Sequence, residues 1–391
     1  MRFTFTPEQQ AFQRQVCQFL TSQITPQVKK RHNDPNEFSG WAWDFYMAFR
    51  KKLAAQGYIG MAWPREYGGQ GRDFFYQMIL EEELEYHGAP GLDRSVTYIP
   101  NSILASGSDE QKRFFLPKIA GGDLQFFVGY TEPEAGSDLA SLSTRAVADG
   151  DDFVVTGQKA FASEANHADY AWLAVRTDFD SPKHRGISLL IVDMKSPGVT
   201  LGEFTTISGW KHSTVNFDSV RVPRHNLVGE INRGWYYIMG ALDYERAAQS
   251  NPGLPRRSFD RLVEYCKTTL RDGRPLIHDP VVRCRLAELS AEVEGAKLLS
   301  YWVASMHSHG LRPQHQTALA AMVKRKTTRA IDVYAMELLG PRGKLTRDDA
   351  YAPADGGFLY DYLNNMYFHF AAGGFDVNRN IIAIRGLDLP R

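Results

Sequence analysis

Near residue 123 the hydrophobic period of this chain changes, and that change limits its possible folds more than any other feature. Before it, apolar residues recur at helical spacing. After it come short runs rich in β-branched and aromatic residues, punctuated by turn residues. Two such runs between Arg145 and Ala160 flank Asp149-Gly150, a hairpin signal. Tyr170 to Val175, Ile187 to Met194 and Val215 to Val222 read as further strands. No helices alternate with them, as a nucleotide-binding parallel sheet would require, so the expectation is an antiparallel β domain. Helical spacing returns after Gly234. The chain therefore reads as an α+β multidomain protein with boundaries at 1–122, 123–232 and 233–391.

The helical parts carry their own start and stop signals. Thr6, Pro7 and Gln9 form a capping box with proline at the first helical position, and Phe12, Val16, Phe19 and Leu20 follow at helical spacing. Ser108 and Gln111 repeat the box. A helix rich in Glu81, Glu82, Glu83 and Glu85 ends at the Gly88-Ala89-Pro90-Gly91 break. Asp279 and Pro280 open a helix whose apolar positions are Val282, Leu286, Leu289, Val293 and Ala296. Another runs from about Gln314 to Leu339 and stops at Gly340-Pro341. Long helices with short loops imply an antiparallel bundle.

The 45 basic and 45 acidic residues cancel, which removes the global field expected of a nucleic-acid binder. No apolar run reaches the length of a membrane span, and Met1 to Pro7 lacks the core of a signal peptide. Cys17, Cys266 and Cys284 are few and far apart, which speaks against a disulfide framework or a zinc site and for a reducing, cytoplasmic setting. Gly69-Gln70-Gly71 lacks the third glycine of a dinucleotide fingerprint. His307 and His309 sit at a helix end, and no metal is expected there.

The chemistry concentrates in Val128-Gly129-Tyr130-Thr131-Glu132-Pro133-Glu134-Ala135-Gly136-Ser137-Asp138. A strand edge runs into a tight loop with hydroxyls, carboxylates and exposed amides, a surface suited to a flat hydrogen-bonding cofactor with an acyl ligand beside it. The run resembles the YTEPxAGSD signature of the acyl-CoA dehydrogenase family of flavoproteins. Gly157-Gln158-Lys159-Ala160-Phe161-Ala162-Ser163 resembles that family's GxKxW strand. Val220-Arg221-Val222-Pro223 with Asn226 to Gly234 resembles its exit from the middle domain. Met61 to Gly71 resembles its connector, and Asn380 to Leu387 its last helix. The motifs stand in family order along nearly the whole chain. The resemblance implies a helical N-terminal domain, a middle β domain and a C-terminal antiparallel four-helix bundle.

The family removes an α proton from an acyl-CoA thioester while a hydride leaves the β carbon for the flavin, so a carboxylate base is needed. Most members place the base in a run before the last helix. Here that position is Ala372, within Phe370-Ala371-Ala372-Gly373-Gly374, and a methyl group takes no proton. A minority place it in an L-x-x-E-R run, matched by Leu242-Asp243-Tyr244-Glu245-Arg246. The resemblance thus assigns Glu245 as base. It implies flavin contacts for Tyr130, Thr131, Phe161 and Ser163, and pyrophosphate contacts for Arg271 and for Gly340 in a loop donated to a neighbouring subunit. Ser137, Arg246 and Gly373 are expected to face the acyl-CoA, with an amide near Gly373 donating to the thioester oxygen. The implied cofactor is FAD and the implied acceptor an electron-transfer flavoprotein.

The donated loop departs from the family: Glu337 stands where a glutamine is usual, with Arg342 available to offset its charge. Two assemblies stay open, a homotetramer and a heteromer with a related chain. Two other functions stay open as well: a flavin oxidase or monooxygenase on the same fold, and a subunit that completes a partner's flavin site.

Overall fold

The computed structural model of the chain describes residues 4–28, 41–347, 349–371 and 373–390. They fall into two compact units, each assembled from separated stretches. One is helical and contains residues 4–28, 73–89 and 246 onward. The other holds residues 41–72 and 90–245 and contains the large sheet. Helical parts before and after a β segment, as read from the sequence, are what the chain forms.

The sheet has seven strands: β1 (Phe126–Gly129), β2 (Arg145–Asp149), β3 (Asp152–Ala162), β4 (Tyr170–Arg176), β5 (Ile187–Asp193), β6 (Val199–Thr205) and β7 (Lys211–Pro223). Their order is β1-β4-β2-β3-β7-β6, with β5 also paired to β4. The hairpin read at Asp149-Gly150 joins β2 to β3, with Gly150 at a φ of 60° as the tight turn requires. The expectation of an antiparallel domain needs one correction. β1 and β2 both run parallel to β4, so the sheet is mixed. The sequence signal for β6 was also missed. β6 closes one end of the strand order and is half exposed along its length, so it carries no run of buried apolar residues. The core of the sheet is formed by Phe127, Phe153, Val155, Leu173, Val175, Leu190, Val192, Val215 and Phe217.

A polar knot lies in the same unit. On the helix Trp41–Ala55, Arg50 falls in phase with the buried Tyr46, Phe49 and Leu53, and it is fully buried. Its guanidinium donates to Asp93 at 2.6 Å, to Gln125 at 2.6 Å and to Tyr46 at 2.7 Å. Gln125 in turn donates to Asp93 and to Glu164.

In the helical unit the glutamate-rich helix, Phe74–His87, is central rather than solvated: Glu81, Glu82 and Glu83 are buried. Its carboxylates address different helices. Glu82 meets Arg256 and Tyr301, Glu83 accepts from Gln13 at 2.8 Å, and Glu85 accepts from Lys324 at 2.8 Å. The capping boxes read at Thr6 and Ser108 both form. The helix Pro280–Ser308 buries the apolar positions expected of it, including Leu286, Leu289 and Val293, and the helix His315–Leu339 ends at the Gly340-Pro341 stop read from the sequence.

Burial separates two ion pairs that look alike in sequence. Arg50→Met would leave Asp93 buried without its cation, and a loss of about 3–5 kcal/mol is expected. Lys51→Met breaks an exposed pair with Asp123 and is expected to cost about 0–1 kcal/mol. Urea unfolding of the two variants checks this, and equal losses would show that the knot contributes nothing special.

Candidate active site

The site begins where β1 ends. Tyr130 and Thr131 leave the strand, and the carbonyl of Thr131 accepts from the amide of Ala160 on β3 at 2.9 Å. Glu132 and Ala135 then bond to each other backbone to backbone, closing a tight turn. One buried ion pair holds this turn. Lys159 has no exposed side-chain surface, and its ammonium donates to the Glu132 carboxylate at 2.7 Å and to the Tyr130 carbonyl at 3.3 Å. Glu132 also accepts from the Ser143 amide and hydroxyl and from the Thr144 amide. Burial opposes ionisation of Glu132, but the Lys159 charge and these hydrogen bonds outweigh it and hold the carboxyl down to about 2. Burial pushes the Lys159 ammonium down to about 8 against the pull of Glu132.

β3 carries two bulges, and the second falls between Lys159 and Ala162. Phe161 lies inside it at a φ of 54°, a conformation that costs a non-glycine residue of order 1–3 kcal/mol. The bulge turns an aromatic ring outward: Phe161 is 63% exposed and meets Phe204 edge-on. Ser163 follows, its hydroxyl 3.2 Å from Nδ1 of His212 on β7. Burial, then the nearby Arg94 charge, lowers the His212 pKa and favours a neutral ring.

Glu245 lies near Tyr130. It is on the helix Gly234–Gln249 and is nearly buried. Nε of Arg94 is 3.7 Å from its Oε1. Tyr98 and Tyr130 share a hydrogen bond; burial, then Tyr130 and Glu245, raise the Tyr98 pKa, and burial with Glu245 raises that of Tyr130, so both phenols stay protonated well above neutrality. The Tyr130 hydroxyl also accepts from Trp172 Nε1 at 3.1 Å. In this unit, therefore, the structure gathers Tyr130, Thr131, Phe161 and Ser163 along the β1–β3 junction and sets Glu245 beside Tyr130. Ser137 is exposed on the loop that follows, next to the Asp138–Lys183 ion pair.

The other expected residues lie in the helical unit. Gly373 is at a φ of 73°, near Nε of Arg246, and its carbonyl accepts from Arg325 at 3.0 Å and Asn378 at 2.6 Å. Ala372 lies outside the described residues. Arg271 is exposed on a short hairpin, 3.9 Å from Asp279. Gly340 ends the helix His315–Leu339 at a φ of 55°. Arg342 bonds the Tyr351 carbonyl. The cleft that Glu337 lines draws its cations instead from Arg285, Lys326 and Arg329.

Sequence reasoning did not single out Arg94, Tyr98, Trp172 or His212, because nothing local ties them to the motifs. Lys159 could have been found. It falls in the inward phase of β3 with Phe153 and Val155, and an inward lysine needs a carboxylate.

The comparisons with known proteins agree over the whole chain. Family models match for the acyl-CoA dehydrogenase N-terminal domain at residues 6–123, the middle domain at 128–220 and the C-terminal domain at 232–387. The chain is 37% identical to acyl-CoA dehydrogenase FadE26 of Mycobacterium tuberculosis over 399 residues, covering 100% of this chain and 99% of the relative. FadE29 of the same organism is 35% identical, with the same coverage. The structure of the ChsE4–ChsE5 complex from Mycobacterium tuberculosis aligns with a TM-score of 0.90 at 35% identity, covering 100% of both chains. The Tcur3481–Tcur3483 steroid ACAD aligns with a TM-score of 0.92 at 31% identity, again over 100% of both chains.

Lys159→Met is expected to leave Glu132 buried alone and to destabilise the protein by about 3–5 kcal/mol in urea unfolding. The Glu132 pKa in the folded protein, about 2, is below its ordinary 4.5. Its stabilisation is therefore complete above pH 4.5 and is lost as pH falls from 4.5 toward 2. Stability measured across that window should fall steeply in the native protein and less steeply in Lys159→Met.

Proposed function

This chain belongs to the acyl-CoA dehydrogenase family and is an oxidoreductase acting on CH–CH bonds of acyl-CoA thioesters, and we propose that Glu245 is its base and FAD its cofactor. The observation that carries the reading is the nearly buried Glu245 carboxylate beside Tyr130, at the end of the strand that supplies Thr131. Ala372 offers no competing base at the other family position.

The residues of the β1–β3 junction fit a flat ring system. Phe161 presents an exposed aromatic face, and the hydroxyls of Thr131 and Ser163 stand on the same two paired segments. Arg271 and Gly340 are the proposed pyrophosphate contacts. Bound here, FAD would supply the acceptor for the hydride released from the β carbon. Glu245 takes the α proton as that C–H bond breaks, and the two carbons become doubly bonded. Ser137 and Arg246 are proposed to contact the acyl-CoA, and an amide near Gly373 to donate to the thioester oxygen as negative charge builds there. The domain limits 1–122, 123–232 and 233–391 are proposed on the same footing.

The electron acceptor is proposed to be an electron-transfer flavoprotein. The assembly is proposed to be a heteromer with a related chain, because Glu337 replaces the usual glutamine of the donated loop. Two full-length structural relatives bear the names of two-component proteins, ChsE4–ChsE5 and Tcur3481–Tcur3483. The three cysteines form no disulfide, which supports a cytoplasmic setting. Among the described residues, no helix is long and apolar enough to cross a membrane.

Glu245→Gln is expected to retain FAD and to lower flavin reduction by acyl-CoA by a factor of about 10² to 10⁴. Near-normal reduction, followed anaerobically by bleaching of the flavin band, would overturn the assignment. Mass and flavin content measured on the chain alone and with a co-expressed relative test the assembly. A stable homotetramer with one FAD per chain would exclude the heteromer.

A further inference from the structure

A residue that faces the proposed base is not part of any family motif quoted above. Arg94 sets Nε 3.7 Å from Oε1 of Glu245. Its own position is tightly determined by the residues on either side. Asp93 uses one carboxylate oxygen to cap the short helix Arg94–Thr97, accepting from the Ser95 amide at 2.7 Å. The other oxygen belongs to the buried knot, where it accepts from Arg50, Tyr46 and Gln125. On the other side, Ser95 is stitched to β1. Its hydroxyl donates to the Phe126 carbonyl at 3.2 Å and accepts from the Phe126 amide at 2.8 Å. Ser95 is fully buried, so no water competes for these bonds.

Arg94 thus stands between two anchored neighbours, and the second anchor is the strand that ends in Tyr130 and Thr131. The two Ser95 bonds tie the backbone beside Arg94 to β1. Among the described residues, the charged or titratable groups that face Arg94 or Glu245 within this unit include Glu164, His212, Tyr98 and Tyr130. Neither phenol carries charge near neutrality, and the lowered pKa of His212 leaves it neutral there. Glu164 is pushed up to about 8 by desolvation and by Asp93, so it is largely neutral at pH 7. Glu245 is the carboxylate with which Arg94 forms its ion pair among the described residues.

We propose that Arg94 is a positioning residue that registers the Glu245 carboxylate against the strand carrying Tyr130 and Thr131, so that base and hydride acceptor are aligned from one anchored helix turn. This inference rests on the assignment of Glu245 as base. A carboxylate misplaced by about 1 Å can lose on the order of 10²-fold in rate, whereas ground-state binding of the acyl-CoA elsewhere is untouched. Loss of Arg94 should therefore slow proton removal and leave thioester affinity as it was.

The test compares Arg94→Gln, Arg94→Lys and Glu245→Gln in the FAD-loaded protein, by anaerobic stopped-flow reduction. The probe is whichever of butyryl-, octanoyl-, palmitoyl- and a bulky branched acyl-CoA reduces the native flavin fastest. Flavin absorbance and thermal midpoint confirm that each variant is folded. Arg94→Gln is expected to lower the limiting reduction rate by about 10- to 100-fold with an acyl-CoA Kd within about twofold of native. Its α-deuterium isotope effect should rise as deprotonation becomes slower. Arg94→Lys, which keeps a cation, should recover most of the rate. If Arg94→Gln reduces at the native rate, or loses affinity instead of rate, while Glu245→Gln is inactive, the proposal fails and the base assignment stands. If Glu245→Gln itself reduces at the native rate, the base assignment fails and this proposal with it.

Discussion

A lysine ammonium with no exposed surface needs a carboxylate, and the architecture of this site follows from that requirement. Lys159 lies in the inward phase of β3, on a sheet whose core is made of valine, leucine, phenylalanine and alanine. Leaving its charge unpaired there would cost several kcal/mol. Glu132 answers it, but only because the chain turns sharply after Tyr130 and Thr131 and bonds back on itself at Ala135. The pair therefore does more than neutralise charge. It holds the end of β1 against β3 at the point where hydroxyls and an aromatic ring must share one surface. The bulge that follows Lys159 turns Phe161 outward, so the inward lysine and the outward ring are consequences of one local geometry.

The carboxylates of this unit show how burial and neighbours divide one functional group into several roles. Asp93 is nearly buried, yet the Arg50 charge and the hydrogen bonds of Tyr46 and Gln125 outweigh desolvation and hold it down to about 2. Glu164 meets the same network from the other side and, desolvated next to Asp93, is pushed up to about 8. Two carboxyls in one knot cannot both ionise, and the one with the guanidinium keeps the charge. Glu245 stands apart from the knot, and its cation, Arg94, is one residue from Asp93. The structural network and the proposed base are thus joined by a single peptide unit, and the Arg94 charge also reaches Glu164 of the knot.

Much of the helical architecture could be read in the sequence because its signals are local. A capping box needs only residues three apart, and Thr6 with Gln9 and Ser108 with Gln111 form theirs as read. The hairpin at Asp149-Gly150 is equally local. The mixed character of the sheet was not legible, because the parallel pairing of β1 with β4 joins residues more than forty apart with no turn between them. The burial of Glu82 and Glu83 was not legible for a related reason. The partners of these two glutamates, Gln13, Arg256 and Tyr301, come from distant helices.

The same division runs through the candidate site. The sequence by itself determined the order of the domains and the family motifs from Tyr130 to Ser137 and from Gly157 to Ser163, and it is the source of the proposal that Glu245 is the base, since the methyl group of Ala372 takes no proton. Only the tertiary structure decided which groups Glu245 meets. Arg94, Tyr98 and Tyr130 come from three separate segments, and their approach depends on how β1, the Arg94 helix turn and the Glu245 helix pack. Spacing along the chain records periodicity and turn chemistry. It does not record the closure of long loops, and electrostatic partners that must be within a few ångströms are chosen by that closure.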